Sequence, residues 1–234
     1  MLKVCLNGGR TRAEHPALPI TVAEVVTDTL RCRAAGAAAV HVHPRDDSGR
    51  ESLDPMVIAA TVTGLRQACP ELPVGVSTGD WIEPDPDARV AAIRAWPVLP
   101  DFASVNAHES GAERVAATLW ERGVAVEAGL WAPEAVEWYR RWTVPVERIL
   151  VECVRPDPTD ALADAERMLA DLPPAGPPVL LHGEGPMTWD VLREAVRRGL
   201  STRIGLEDTT VLPDGVTGVG NAELVAAAVA LGAG

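Results

Sequence analysis

The chain has 234 residues, 47% apolar and 23% charged, with a formal net charge of −12. That length admits one large core or two small ones, no run approaches the roughly 20 apolar residues of a membrane span, and the acidic balance opposes nucleic acid and anionic membranes. Four scattered cysteines, Cys5, Cys32, Cys69 and Cys153, form no Cys-x-x-Cys pair and read as free thiols of a reducing cytoplasm, in keeping with an N-terminal run that lacks a basic leader.

Short β-branched runs alternate with amphipathic segments along the whole chain. Residues 3–7 read as a strand and 22–35 as a helix, opened by the capping box Thr21-x-x-Glu24. Strand 38–43 precedes helix 55–69, strand 74–77 precedes helix 86–95, and strand 102–105 precedes helix 111–122, where Ser110-x-x-Glu113 reads as a second box. Strands 124–129, 149–154, 179–182 and 202–207 are followed by helices 133–142, 160–172, 189–198 and 221–231. Eight βα units predict a single (β/α)8 TIM barrel, an α/β fold of one domain over residues 1–234. An open doubly wound sheet is the alternative, but Asn7-Gly8-Gly9-Arg10 is no Gly-x-Gly-x-x-Gly and leads into a Pro-containing loop instead of a helix.

Side chains alternate along a strand, so His41 and His43 share one face of the second strand while Val40 and Val42 take the other. The same alternation on the last strand gives Arg203, Gly205 and Glu207 one face. Two imidazoles and a carboxylate converging at the C-terminal mouth predict a divalent metal site, with a coordination position left open as in catalytic zinc; iron(II) suits the same ligands. Polar residues end other strands, where packing alone favours apolar ones: Ser77-Thr78-Gly79 closes strand three and Ser104-Val105-Asn106 strand four, while Glu127 sits inside strand five and Asp208 follows Glu207. Trp96, Trp120, Trp131, Trp138 and Trp142 lie on or near helices and are read as core or oligomer contacts. The only lysine, Lys3, begins the first strand, which removes Schiff-base chemistry at a strand end.

Asn7-Gly8-Gly9, His15-Pro16-Ala17-Leu18-Pro19-Ile20-Thr21, Ala35-Gly36-Ala37, His41-Val42-His43-Pro44-Arg45-Asp46, Ser77-Thr78-Gly79, Ser104-Val105-Asn106, Glu127 and Arg203-Ile204-Gly205-Leu206-Glu207-Asp208 together resemble the β-keto acid cleavage enzymes, including those acting on 3-keto-5-aminohexanoate, over nearly the whole chain. The resemblance implies a zinc-dependent barrel that condenses a β-keto acid with acetyl-CoA, giving acetoacetate and a new acyl-CoA, in a cytoplasmic homo-oligomer. It implies that His41, His43 and Glu207 hold zinc, that Asp208 is the base supported by Ser77 and Glu127, and that Arg203 stands beside them. Thr78, Gly79, Ser104 and Asn106 would bind substrate. Relatives acting on an amino-substituted keto acid carry an acidic residue near the end of strand one, where this chain has Gly9 and Arg10; Arg10 is expected to disfavour a cationic substrate and to admit a second carboxylate. The segment Cys153-Val154-Arg155-Pro156-Asp157 lacks the glycine-rich loop of longer relatives, so handling of CoA is an open expectation. A metal-dependent hydrolase or lyase that uses no CoA is the alternative function, and a non-catalytic binding barrel a third.

Overall fold

The computed structural model describes residues 1–154 and 158–234. Eight strands, β1 (Leu2–Cys5), β2 (Ala39–Val42), β3 (Val74–Ser77), β4 (Phe102–Asn106), β5 (Ala125–Leu130), β6 (Arg148–Cys153), β7 (Val179–Gly183) and β8 (Thr202–Ile204), alternate with helices α1 (Val22–Ala35), α2 (Pro55–Ala68), α3 (Pro86–Ala95), α4 (Ala112–Glu121), α5 (Pro133–Tyr139), α6 (Pro158–Asp171), α7 (Thr188–Arg198) and α8 (Asn221–Ala230). All ladders are parallel, in the order β7-β6-β5-β4-β3-β2-β1-β8. An isolated parallel bridge between Leu180 and Ser201, with Leu181 N–H donating to Ser201 O at 2.9 Å, brings β7 to β8 and rounds the sheet into a barrel. The (β/α)8 expectation is met, and the doubly wound alternative is not.

Alternation explains the layers. Val4, Val40, Val42, Val74, Val76 and Val105 are wholly buried on the outer face of the sheet, together with Ile58, Val62, Leu65, Ile93 and Leu119 of the surrounding helices. Each such side chain contributes about 1.5–3 kcal/mol by leaving water. Asp54-Pro55 and Asp85-Pro86 start α2 and α3, the aspartates accepting from Met56, Val57 and Asp87 N–H groups and the prolines occupying the first turn, where no amide donor is needed. The Thr21–Glu24 box is formed. The second box is not: α4 begins after Gly111 at φ 71°, without a side-chain cap, and Glu113 accepts instead from Thr143 N at 2.7 Å. A left-handed residue directly before the helix turns Ser110 out of the capping position.

Low in the barrel interior lies a fully buried ion pair, Lys3 Nζ to Glu127 Oε2 at 2.5 Å, with Arg148 Nη1 on the other carboxylate oxygen at 2.5 Å. The Lys3 ammonium also sits 5.3 Å from the Phe102 ring centroid, within cation–π range. Glu127 is thus consumed in holding β1, β5 and β6 together across the floor of the barrel.

Candidate active site

At the mouth, β2 ends at Val42 and His43 follows immediately, clamped by Asn7: the Asn7 amide donates to His43 O at 3.1 Å and its oxygen accepts from His43 N at 2.9 Å. Asn7 also donates to Pro19 O, so one buried amide ties the ends of β1 and β2 to the loop before α1. On the far side, β8 stops at Ile204, and Gly205 to Asp208 form a turn closed by Asp208 N–H to Gly205 O at 2.9 Å. Glu207 therefore arrives on a turn and not on the extended strand expected from the sequence. The cause is steric: a Cβ at Gly205 would lie 1.9 Å from Cys5 O, so only glycine lets the chain bend there against β1. Gly8, at φ 51°, makes room in the same way, since its Cβ would fall 2.5 Å from Glu207 Cγ. Asn221 fixes the turn by accepting from Leu206 N at 2.6 Å while donating to Leu6 O. His15 is structural: its Nε2 meets Gly218 O at 2.8 Å, and its Nδ1 accepts from Ala17 N.

This construction brings ligand atoms of His41, His43 and Glu207 within 4.8 Å of one another, all three residues buried. His43 Nδ1 is bonded to Glu51, which leaves Nε2 facing Glu207 Oε2 at 3.5 Å. His41 Nδ1 and Glu207 Oε2 are buried without a hydrogen-bond partner among the described residues. Burial, then the neighbouring His43, holds His41 well below the usual imidazole range, so it is neutral with a lone pair to offer. An open nitrogen on His41 and an open oxygen on Glu207, set beside His43 Nε2, fit a divalent cation. Glu51 stays ionised: burial pushes its carboxyl up, but its bonds to His43 and Trp81 bring it below the ordinary value.

A cavity of about 300 Å³ opens over these ligands, lined by Ser77, Ser104, Asn106 and Arg203, with Trp81 and Trp131 forming an aromatic wall. Trp131 is thus part of the site and not a peripheral contact; Trp96 is the core residue the sequence suggested, 1% exposed with its indole N–H on Leu53 O. Asp208, the residue after Glu207, is fully buried and accepts from the cavity-lining Arg203, from Nε at 3.0 Å and Nη2 at 2.8 Å. Arg203 Nη2 reaches Glu207 Oε1 at 2.9 Å as well. Burial pushes the Asp208 carboxyl up to about 8, against the pull of Arg203. Arg203 itself is driven up by Asp208 and its other acidic neighbours, overcoming the opposing effect of burial.

Other expected residues are placed differently. Thr78 donates to Ser104 O at 2.7 Å across the ladder, and Gly79 lies against the Trp81 ring. Glu127 sits on the floor between Lys3 and Arg148, so its carboxylate is occupied away from the cavity lining. Arg10 lines a neighbouring cavity that shares Gly9, Val154, Glu184 and Glu207 with the first; its Nε donates to Glu207 O at 3.3 Å and its Nη1 to Glu14. Residues 155–157, part of the segment read for CoA handling, lie outside the described residues.

Sequence reading passed over four site residues. Glu152 and His182, at the ends of β6 and β7, lie 3.0 Å apart, and His182 Nδ1 is 3.8 Å from Asp208 Oδ1. Burial and then Arg203 bring His182 down to about 4, despite the opposing Glu152 charge. Glu152 is held at about 2, burial being outweighed by His182 and the nearby cations. Two polar residues ending apolar strands were a signal as legible as Ser77 or Asn106. Glu51 and Trp81, in contrast, sit in loops with no periodicity to mark them.

The sequence profile described as beta-keto acid cleavage enzyme matches residues 1–233. The chain belongs to that family. This family member is 23% identical over 239 residues to the 3-keto-5-aminohexanoate cleavage enzyme of Fusobacterium nucleatum, covering 96% of the present chain and 88% of the relative. It is 38% identical over 80 residues to the 3-oxoadipate:acetyl-CoA acetyltransferase of Cupriavidus necator, 34% of this chain and 28% of that one. Among solved structures, the binary complex of ObcA with oxaloacetate shares the fold at a TM-score of 0.69 and 20% identity, over 93% of this chain and 65% of ObcA. This family member thus spans about two thirds of ObcA's length.

Proposed function

We propose that this chain is a zinc-dependent acyltransferase, converting a β-keto acid and acetyl-CoA into acetoacetate and a new acyl-CoA. The observation that carries the reading is the pair of orphaned ligand atoms, His41 Nδ1 and Glu207 Oε2, set with His43 in the mouth of a barrel of this family. A cation held by these three residues would supply Lewis-acid polarisation of the keto group and a counter-charge for the substrate carboxylate. Asp208 is the base. Its Oδ1 is held by Arg203, while its buried Oδ2 has no hydrogen-bond partner among the described residues and is the oxygen left to take a proton from the methylene carbon between the two carbonyl groups. A carboxyl raised by burial is closer in pKa to a carbon acid than an exposed one, which favours that transfer. Ser77, Ser104 and Asn106 line the opposite side of the cavity and offer the hydrogen bonds that orient the keto acid. Glu127 supports the barrel floor in this scheme and takes no part in the proton transfer.

Arg10 puts a cation beside Glu207 at the outer end of the site, favouring a keto acid with a second carboxylate over an amino-substituted one. The name of one relative agrees with that choice, 3-oxoadipate being a dicarboxylic β-keto acid, while the relative matched over 96% of this chain is named for an amino-substituted one. Assembly into a homo-oligomer through faces bearing the exposed Trp120 and Trp138, and a cytoplasmic setting, belong to the same reading. The test is to incubate zinc-loaded protein with a dicarboxylic β-keto acid and acetyl-CoA. Acetoacetate and new thioester should appear in equal amounts as the keto acid disappears. Keto acid loss without thioester exchange would identify a hydrolase or lyase instead, and faster turnover of an amino-substituted keto acid would overturn the role of Arg10.

A further inference from the structure

Glu51 lies outside every strand, yet it forms the closest side-chain contact to a candidate metal ligand. Its Oε1 is bonded to His43 Nδ1 and also accepts from the Trp81 indole N–H at 3.0 Å. The loop that delivers it is built for the purpose. After His43 the chain makes a tight excursion in which Asp46 accepts from Ser48 N at 2.8 Å and Arg50 N at 3.0 Å, and its two arms meet at an isolated antiparallel bridge between Arg45 and Glu51. Arg45 anchors this excursion to the Gly8–Arg10 segment, donating to Gly49 O at 3.0 Å on one side and to Gly8 O and Arg10 O on the other. Trp81 completes the arrangement: its ring stacks on His43 at a centroid distance of 6.1 Å and an interplanar angle of 19°, while its other neighbour is Trp131, at 6.2 Å, on the cavity wall.

We propose that Glu51 and Trp81 are positioning residues that set the tautomer and ring orientation of His43, and so the affinity of the three-residue site for its metal. A carboxylate on Nδ1 keeps the proton on that nitrogen and leaves the Nε2 lone pair directed at the space shared with Glu207. The same contact increases the donor strength of the imidazole. The Trp81 N–H in turn holds the carboxylate in place, and the indole face keeps the imidazole from rotating. Because Trp81 also faces the cavity, a substrate packed against it bears on the metal ligand through two contacts, the stacked ring and the shared carboxylate.

The inference rests on the metal reading above, and the experiment separates the two. Zinc affinity is measured by competition with a chromophoric chelator for the intact protein and for His41→Ala, Glu51→Gln, Glu51→Ala and Trp81→Phe, with cobalt(II) as a spectroscopic probe. The parent should bind one zinc per chain and His41→Ala should lose it. Glu51→Ala should weaken binding by about 10–100-fold, in the range seen when such outer partners are removed. Glu51→Gln, which keeps an acceptor but not the charge, should fall between, and Trp81→Phe, which keeps the stacked ring, should lose less than Glu51→Ala. Cobalt should quench part of the tryptophan emission in the parent and markedly less in Trp81→Phe. Unchanged affinity in both Glu51 variants, with His41→Ala empty, overturns the positioning role and leaves the metal reading standing. A parent that binds no metal overturns both. Glu51→Gln is nearly isosteric, so it still decides the matter if Glu51→Ala fails to fold.

Discussion

Two clusters of buried charge share the inside of this barrel, and they differ in how completely their atoms are paired. On the floor, both oxygens of Glu127 are taken, one by Lys3 and one by Arg148. At the mouth, Arg203 serves Glu207 and Asp208 together, while His41 Nδ1, Glu207 Oε2 and Asp208 Oδ2 have no hydrogen-bond partner among the described residues. An unpaired buried polar atom costs about 1–3 kcal/mol, and ligand-type atoms left open side by side at the barrel mouth suit a place where something binds. On the floor the carboxylate is fully paired, and the atom left open is Arg148 Nε, an N–H donor that cannot ligate a cation. The same residue types thus read as structure in one layer and as a site in the next, and the difference lies in the unfilled valences, not in the composition.

That contrast can be broken by substitution. Replacing His41 or Glu207 by alanine should remove the metal and lower turnover by about a thousandfold or more, the loss of several kcal/mol of transition-state stabilisation, with the fold intact by circular dichroism. If either variant retains both metal and turnover, the mouth is not the site. Lys3→Met should do the opposite. It leaves Glu127 with a buried charge served only by Arg148, and it should cost about 3–5 kcal/mol in urea unfolding while metal content per folded molecule is unchanged. A variant of Glu127 to Gln that folds stably but loses turnover would show that the floor takes part in the chemistry after all.

Acid sharpens the same comparison. His182 is held at about 4 in the folded chain against roughly 6.5 unfolded, so the unfolded state binds more protons between those values and stability falls as pH drops through that window. Full protonation corresponds to about 3 kcal/mol, and Glu152, held at about 2, adds to the loss below about pH 4. Unfolding measured from pH 7 to 4 should show this slope in the parent and a flatter profile in His182→Gln. A parent profile that is already flat would mean that His182 is not buried as a neutral group. The smallest effect lies outside both clusters: Thr21→Ala breaks the capping box of α1 and should cost about 1 kcal/mol, with metal affinity unaltered.

Much of this was legible in the chain because periodicity reports burial. Val40 and Val42 against His41 and His43 gave both the existence of β2 and the inward face of its histidines. Polar residues at strand ends marked Ser77, Ser104 and Asn106, and the same rule applied to Glu152 and His182 would have added the two that were passed over. Alternation failed where the backbone leaves the strand. Glu207 was assigned its face by a pleat that ends three residues earlier, and it reaches the mouth only through a turn forced by Gly205 against Cys5. Glu127 obeyed the alternation but not its expected depth, since period two gives a side chain's face and not its layer within the barrel.

Local spacing alone therefore determined the eight βα units, the capping box of α1, the inward-facing imidazoles and the acidic balance of the chain, because each depends on composition or on neighbours a few residues apart. The closure of β7 on β8, the layer in which each buried charge sits, and the capture of His43 by Glu51 and Trp81 were decided only by tertiary structure. Those features join segments with no regular spacing between them, and whether a buried carboxylate holds a fold together or awaits a ligand depends on which distant atoms the folded chain brings to its oxygens.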